Sequence, residues 1–85
     1  MRRKTLLRRL TAGALHNVRF ADLTDLVLAF GFSPIRSSGS HHIFSHPDIT
    51  ELINLQDVNG QAKPYQIRQF LRLVERYNLK MENDS

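Results

Sequence analysis

The sequence predicts an α+β domain in the order α-β-β-β-α, a three-stranded antiparallel sheet with helices on one face, preceded by a short basic N-terminal helix. Three observations carry this. Apolar residues recur at helical spacing in two separate segments, 20–30 and 64–77. Between them lie three short segments of strand character, broken by Ser38-Gly39-Ser40 and by Pro47-Asp48. Connections this short join neighbouring antiparallel strands, because a parallel crossover needs a dozen or more residues.

Each element has its own signals. In Thr5 to Ala12 the leucines fall at 6, 7 and 10, one stripe of a helix that Gly13 ends. A helix this short must dock on the body or on a partner. From Phe20 to Phe30 the buried face is Phe20, Leu23, Leu26, Val27 and Phe30. Asp22 stands in its first turn, Val18 and Leu23 fit a hydrophobic staple, and Gly31 closes it. Phe32 to Ser37 reads as a strand whose Pro34 implies an edge or a bulge. Gly39 supplies the positive φ of a tight turn into a second strand, His41 to His46. Glu51 to Gln56 gives the third, and Asn59-Gly60 marks a turn in the polar loop 57–63. Pro64 opens the last helix. Ile67, Phe70, Leu71, Val74 and Tyr77 form its apolar face, with Gln66, Arg68, Gln69, Arg72 and Arg76 on the other side. Residues 81–85 read as a frayed tail. The division is a basic extension over 1–17, the domain over 18–80, and that tail.

The 85 residues suffice for one small core, and the chain has no cysteine. Disulfides, thiolate metal sites and a cysteine nucleophile are therefore excluded, which suits a reducing cytoplasm. No apolar run is long enough for a signal peptide or a membrane span, so a cytoplasmic protein without membrane attachment is expected. The formal net charge is +4, and it comes wholly from the start of the chain. Arg2, Arg3, Lys4, Arg8, Arg9 and Arg19 precede the first acidic residue, Asp22. Such a cluster on a near-neutral body suits a polyanion, since each cation on a phosphate releases counterions. A solvated helix end is the plainer reading, and charge alone does not separate the two.

Three of the four histidines fall within SSGSHHIFSHP, residues 37–47. Strand alternation puts His42, Phe44 and His46 on one face and His41, Ile43 and Ser45 on the other. His42 and His46 are then about 13 Å apart, too far to share an ion, so no metal and no cofactor is expected. His46 and His16 read as surface groups, His46 hydrogen-bonding the turn at Pro47. A histidine just after the Gly-Ser turn is held by its strand yet open to solvent, as a site residue must be. Histidine side chains in general, with an unperturbed pKa of about 6.5, exchange protons near neutral pH, and such a base can take the proton from a ribose 2′-OH, which then attacks the adjacent phosphodiester. Charge building on phosphate would be met by Lys63, the free N–H groups at the start of the last helix, or the Ser38–Ser40 turn. On the residues alone this acid–base reading ranks below the surface one.

A resemblance raises it. GFSPIRSSGSHHIFSHP resembles the signature of the HicA-family toxins of bacterial toxin–antitoxin pairs, in Gly31-Phe32, Arg36, Gly39-Ser40-His41, Phe44 and His46-Pro47. The similarity runs from about Phe20 to Leu79. It implies a double-stranded-RNA-binding-like fold and a metal-independent endoribonuclease that cuts mRNA and halts translation. Its partner would be a HicB-like antitoxin that covers the active site. His41 is then the general acid or base, with His42 as the alternative imidazole in Gly-Ser-His-His. Ser38, Gly39 and Ser40 shape the turn against RNA, and Arg36, Lys63, Arg2, Arg3, Lys4, Arg8 and Arg9 hold phosphate. Tyr65 is a stacking candidate, and Phe44 belongs to the core.

The chain departs from the pattern in two places. Many relatives end strand three with a Val-Pro-x-His-like segment where this chain has Leu55-Gln56-Asp57-Val58; if that segment helps bind RNA, Gln56 and the 63–66 helix start must do so here, or activity is weaker. The segment 1–19 is also longer than the family core requires. Two rivals remain at this level: a non-catalytic RNA-binding module of similar fold, and a small interaction or DNA-binding subunit worked by its basic helix. Oligomeric state is left open.

Overall fold

A computed structural model describes residues 1–81, so the expected tail lies, from Glu82 onward, outside the described residues. Helix α1 spans Arg3–Thr11, α2 Phe20–Ala29 and α3 Pro64–Arg76, with strands β1 Ser33–Ser38, β2 His41–Ser45 and β3 Ile53–Gln56. The strands form one antiparallel sheet in the order β1-β2-β3, a meander with both outer strands as edges. This is the expected double-stranded-RNA-binding-like arrangement.

Both glycine stops act as expected. Gly13 and Gly31 have φ of 98° and 94°. In each case two backbone bonds close the helix: Gly13 N–H to Leu10 O with Ala14 N–H to Arg9 O, and Gly31 N–H to Leu28 O with Phe32 N–H to Val27 O. These satisfy carbonyls that the helix end would leave orphaned.

No described helix has a side-chain N-cap; Arg2, Arg19 and Lys63 occupy those positions. For α2 the deficit is met from the loop after β3. Asn59 and Gly60, with φ of 52° and 83°, form a tight turn whose ends, Val58 and Gln61, exchange backbone hydrogen bonds. Gly60 O then accepts the first N–H of α2, from Phe20, at 2.8 Å, and Ala62 N–H donates to Val18 O. A polar loop in the sequence is thus a mini-hairpin that caps a helix.

Between Pro34 and Arg36 the β1–β2 register shifts by a bulge that takes up Ile35. Pro34 therefore lies on an edge strand and beside a bulge, the two positions that tolerate its missing N–H. Ser38 pairs with His41 across the two-residue loop Gly39-Ser40, where Gly39 alone has positive φ (59°), the pattern of a type II′ turn.

The core gathers Leu6 and Leu10 of α1, Leu23, Leu26 and Val27 of α2, Phe44, Ile53 and Leu55 of the sheet, and Ile67 and Phe70 of α3. Phe70 sits edge-on to both Phe30 and Phe32, at 5.5 and 6.0 Å between ring centres. Helix α1 is part of this core, since it packs on α2 and its Leu10 is 1% exposed within the core cluster. Fully burying one such leucine contributes about 1.5–3 kcal/mol.

Two expectations for α3 are corrected. Gln66 is buried, not on the solvent side, because its Oε1 accepts the Gln56 N–H at 2.7 Å and so satisfies the end of edge strand β3. Tyr77 is exposed instead of apolar-face core; its hydroxyl donates to the Glu51 carboxylate at 2.7 Å, joining the end of α3 to the segment before β3. The third strand also begins two residues later than expected, at Ile53.

Candidate active site on the open sheet face

Register fixes which side chains share the uncovered face. Residues opposite one another across antiparallel strands project to the same side. The pairs Ser38–His41, Arg36–Ile43, Ile43–Asn54 and His41–Gln56 therefore put Arg36, Ser38, His41, Asn54 and Gln56 on one face. The pairs His42–Leu55 and Phe44–Ile53 point the other way, into the helical layer. The expected split of the histidines thus follows from pairing as well as from alternation.

His41 is exposed, and its Nδ1 lies 3.2 Å from Asn54 Oδ1. Around it the turn is tied down. Ser40 O accepts the Asp57 N–H at 2.9 Å, and Gln56 Nε2 donates to Ser40 Oγ at 3.3 Å. From Gln56 the contacts continue into α3: its N–H reaches Gln66 Oε1, Gln66 Nε2 donates to Tyr65 Oη at 3.4 Å, and Lys63 Nζ sits 5.8 Å from the Tyr65 ring centre. Gly39-Ser40-His41 and the Lys63–Gln66 helix start, separate in sequence, are thereby joined. Of the N–H groups expected to be free there, that of Gln66 is taken by Lys63 O at 3.1 Å, and Pro64 has none.

The other histidines are placed differently. His42 is half-buried with its ring 5.0 Å from that of Phe20. His46, expected at the surface, is buried at 8% exposure. The Asp48 N–H donates to its Nδ1, so Nε2 carries the proton and donates to Phe30 O, each at 3.0 Å. The expected bond to the turn is there, but the second bond and the Phe32 ring 4.9 Å away make His46 a core clamp between the end of α2 and the end of β2. His16 is exposed. Among the described residues no group of three His, Asp or Glu side chains could hold a metal ion.

The N-terminal cations do not join His41. Helix α1 docks on α2, so Arg2, Arg3, Lys4, Arg8 and Arg9 stand on the helical side of the sheet. Arg3 is already engaged, its Nε and Nη2 donating to both Asp25 oxygens at 3.0 and 3.1 Å. That hydrogen bond holds the Asp25 carboxyl below the usual carboxylate range. The Tyr77 hydroxyl does the same for Glu51, with Arg76 adding to it.

Sequence reasoning missed Asn54, and it placed Gln66 in the 63–66 helix start without its bond to the end of β3. Neither stands out by type, and each acts through cross-strand or strand-to-helix register. The departure at Gln56, with Lys63 and Tyr65 at the 63–66 helix start, pointed to this corner.

No described helix is long and apolar enough to cross a membrane. Comparison with known families gives a match to the model described as "HicA toxin of bacterial toxin-antitoxin" over residues 20–75, from the first residue of α2 to the last turn of α3. Neither the curated proteins nor the solved structures contain a match.

Proposed function

Because the chain belongs to the HicA toxin family of bacterial toxin–antitoxin pairs, we propose that it is a metal-independent endoribonuclease that cuts mRNA in the cytoplasm through His41. A HicB-like antitoxin silences it by covering the open sheet face. The observation that carries this reading is that His41 alone of the three clustered histidines stands exposed on that face, while His42 and His46 turn inward.

In the reaction, His41 takes the proton of a ribose 2′-OH as general base. The 2′-oxygen bonds to phosphorus, the P–O5′ bond breaks, and the 5′-oxygen leaves with a proton from solvent. The products are a 2′,3′-cyclic phosphate and a 5′-hydroxyl. Arg36 meets the phosphate charge from the β1 side and Lys63 from the β3 side, while the Gly39-Ser40 turn holds the imidazole at the lip of the sheet. Tyr65, half exposed beside Lys63, offers a face for a neighbouring base. Arg2, Arg3, Lys4, Arg8 and Arg9 act at a distance, by raising the local concentration of RNA through long-range attraction.

The test is expression of the full chain in a bacterial host. Wild type is expected to arrest growth with loss of mRNA, His41→Ala to be tolerated, and the antitoxin gene of the same operon to relieve the arrest. High soluble expression of wild type without arrest would overturn the reading.

A further inference from the structure

We propose that Asn54 is a positioning residue that fixes the tautomer of His41, so that Nε2 presents a lone pair to the substrate. The proposal rests on the ribonuclease reading for its catalytic use, and on the geometry of β2 and β3 for its structural part.

His41 pairs directly with Gln56, and Asn54 is the diagonal neighbour two residues back on the same open face. Its Oδ1 lies 3.2 Å from His41 Nδ1. An amide oxygen only accepts, so the contact requires the proton on Nδ1 and leaves Nε2 unprotonated. A neutral histidine side chain in water prefers the opposite arrangement, with the proton on Nε2. A base acting through Nε2 would then spend most of its time in the wrong form, and with Nδ1 turned toward β3 its only basic atom would face the strand. Asn54 reverses that preference. After Nε2 takes up a proton, Nδ1–H still faces Oδ1, so the contact survives the step and the ring keeps its orientation.

Around the ring, Ser38 and Gln56 are the cross-strand neighbours, and Gln56 Nε2 is directed to Ser40 Oγ. Among the described residues, Asn54 Oδ1 is the side-chain acceptor that lies within hydrogen-bond distance of His41. Asn54 is itself exposed, so its replacement leaves the core untouched.

The experiment uses the ¹⁵N-labelled full chain without RNA, at a pH where His41 is neutral, and reads the tautomer from long-range ¹H–¹⁵N correlations of the ring. Wild type is expected to show Nδ1–H. Asn54→Asp, which keeps an acceptor oxygen, retains it, and Asn54→Leu reverts to mostly Nε2–H. In single-stranded RNA cleavage, Asn54→Leu loses roughly three- to tenfold in kcat, the scale of one net hydrogen bond, with KM unchanged, and Asn54→Asp recovers most of it. A wild-type His41 protonated on Nε2, or an Asn54→Leu enzyme with wild-type kcat, overturns the proposal. A wild-type chain that shows Nδ1–H but cuts no RNA overturns the ribonuclease reading and the catalytic use with it, while the hydrogen bond stands.

Discussion

Replacing His46 by leucine separates the structural histidine from the proposed catalytic one. Leucine restores most of the apolar volume beside Phe32, so the loss is chiefly polar. Two partners are abandoned, the Phe30 carbonyl and the Asp48 N–H. The carbonyl belongs to a buried residue and bears about 1–3 kcal/mol for being left unpaired; the N–H belongs to an exposed residue and costs about 1 kcal/mol or less. The sum is about 1–4 kcal/mol. A chain of this length has roughly 4–13 kcal/mol in total, so the variant is expected to fold at 25 °C but to melt on the order of 5–30 °C lower. His41→Ala, which removes one contact between exposed groups, is expected to stay within about 0.5 kcal/mol of wild type. Urea titrations followed by circular dichroism measure both. The reasoning fails if His46→Leu is as stable as wild type, or if His41→Ala is destabilised to the same degree.

The remaining predictions use the same preparations. Leu10→Ala should cost about 2–5 kcal/mol in urea unfolding, since the side chain is 1% exposed; a cost under 1 kcal/mol would mean that α1 is not part of the cooperative core. Glu51 has its carboxyl lowered by the Tyr77 hydroxyl, so its contribution to stability is full above the ordinary glutamate range and is lost as pH falls through the lowered value. Thermal melts from pH 7 to pH 3 should therefore fall more steeply for wild type than for Glu51→Gln, and parallel curves would refute the contact. If Arg8 and Arg9 attract single-stranded RNA at long range, replacing both by alanine should reduce the slope of log K against log salt by up to about 1.4, the value for two full phosphate contacts. An unchanged slope would remove α1 from RNA binding.

Much of the fold was legible because it rests on local chemistry. Gly13, Gly31 and Pro64 punctuate the helices through their own backbone preferences, and Pro34, which implied an edge or a bulge, has both. What was illegible depends on partners distant in sequence. Gln66 looks like a solvent-side residue until the end of β3 is placed beside it with an N–H to satisfy. His46 looks like a polar strand end until the Phe30 carbonyl arrives from the end of α2. The same holds for the site: His41 is visible from its turn, whereas Asn54 requires the β2–β3 register. The Asn59-Gly60 turn was legible, but the cap it gives α2 is made through the Gly60 carbonyl, which no side-chain pattern announces.

The central claim is that His41 performs base catalysis on RNA, and cleavage of a single-stranded RNA by the purified full chain in EDTA tests it most directly. Wild type is expected to cut the RNA and leave 2′,3′-cyclic phosphate ends, with His42→Ala retaining activity and His41→Ala losing it while remaining folded. Cleavage that EDTA abolishes, or a His41→Ala protein that cuts as fast as wild type, would contradict the account.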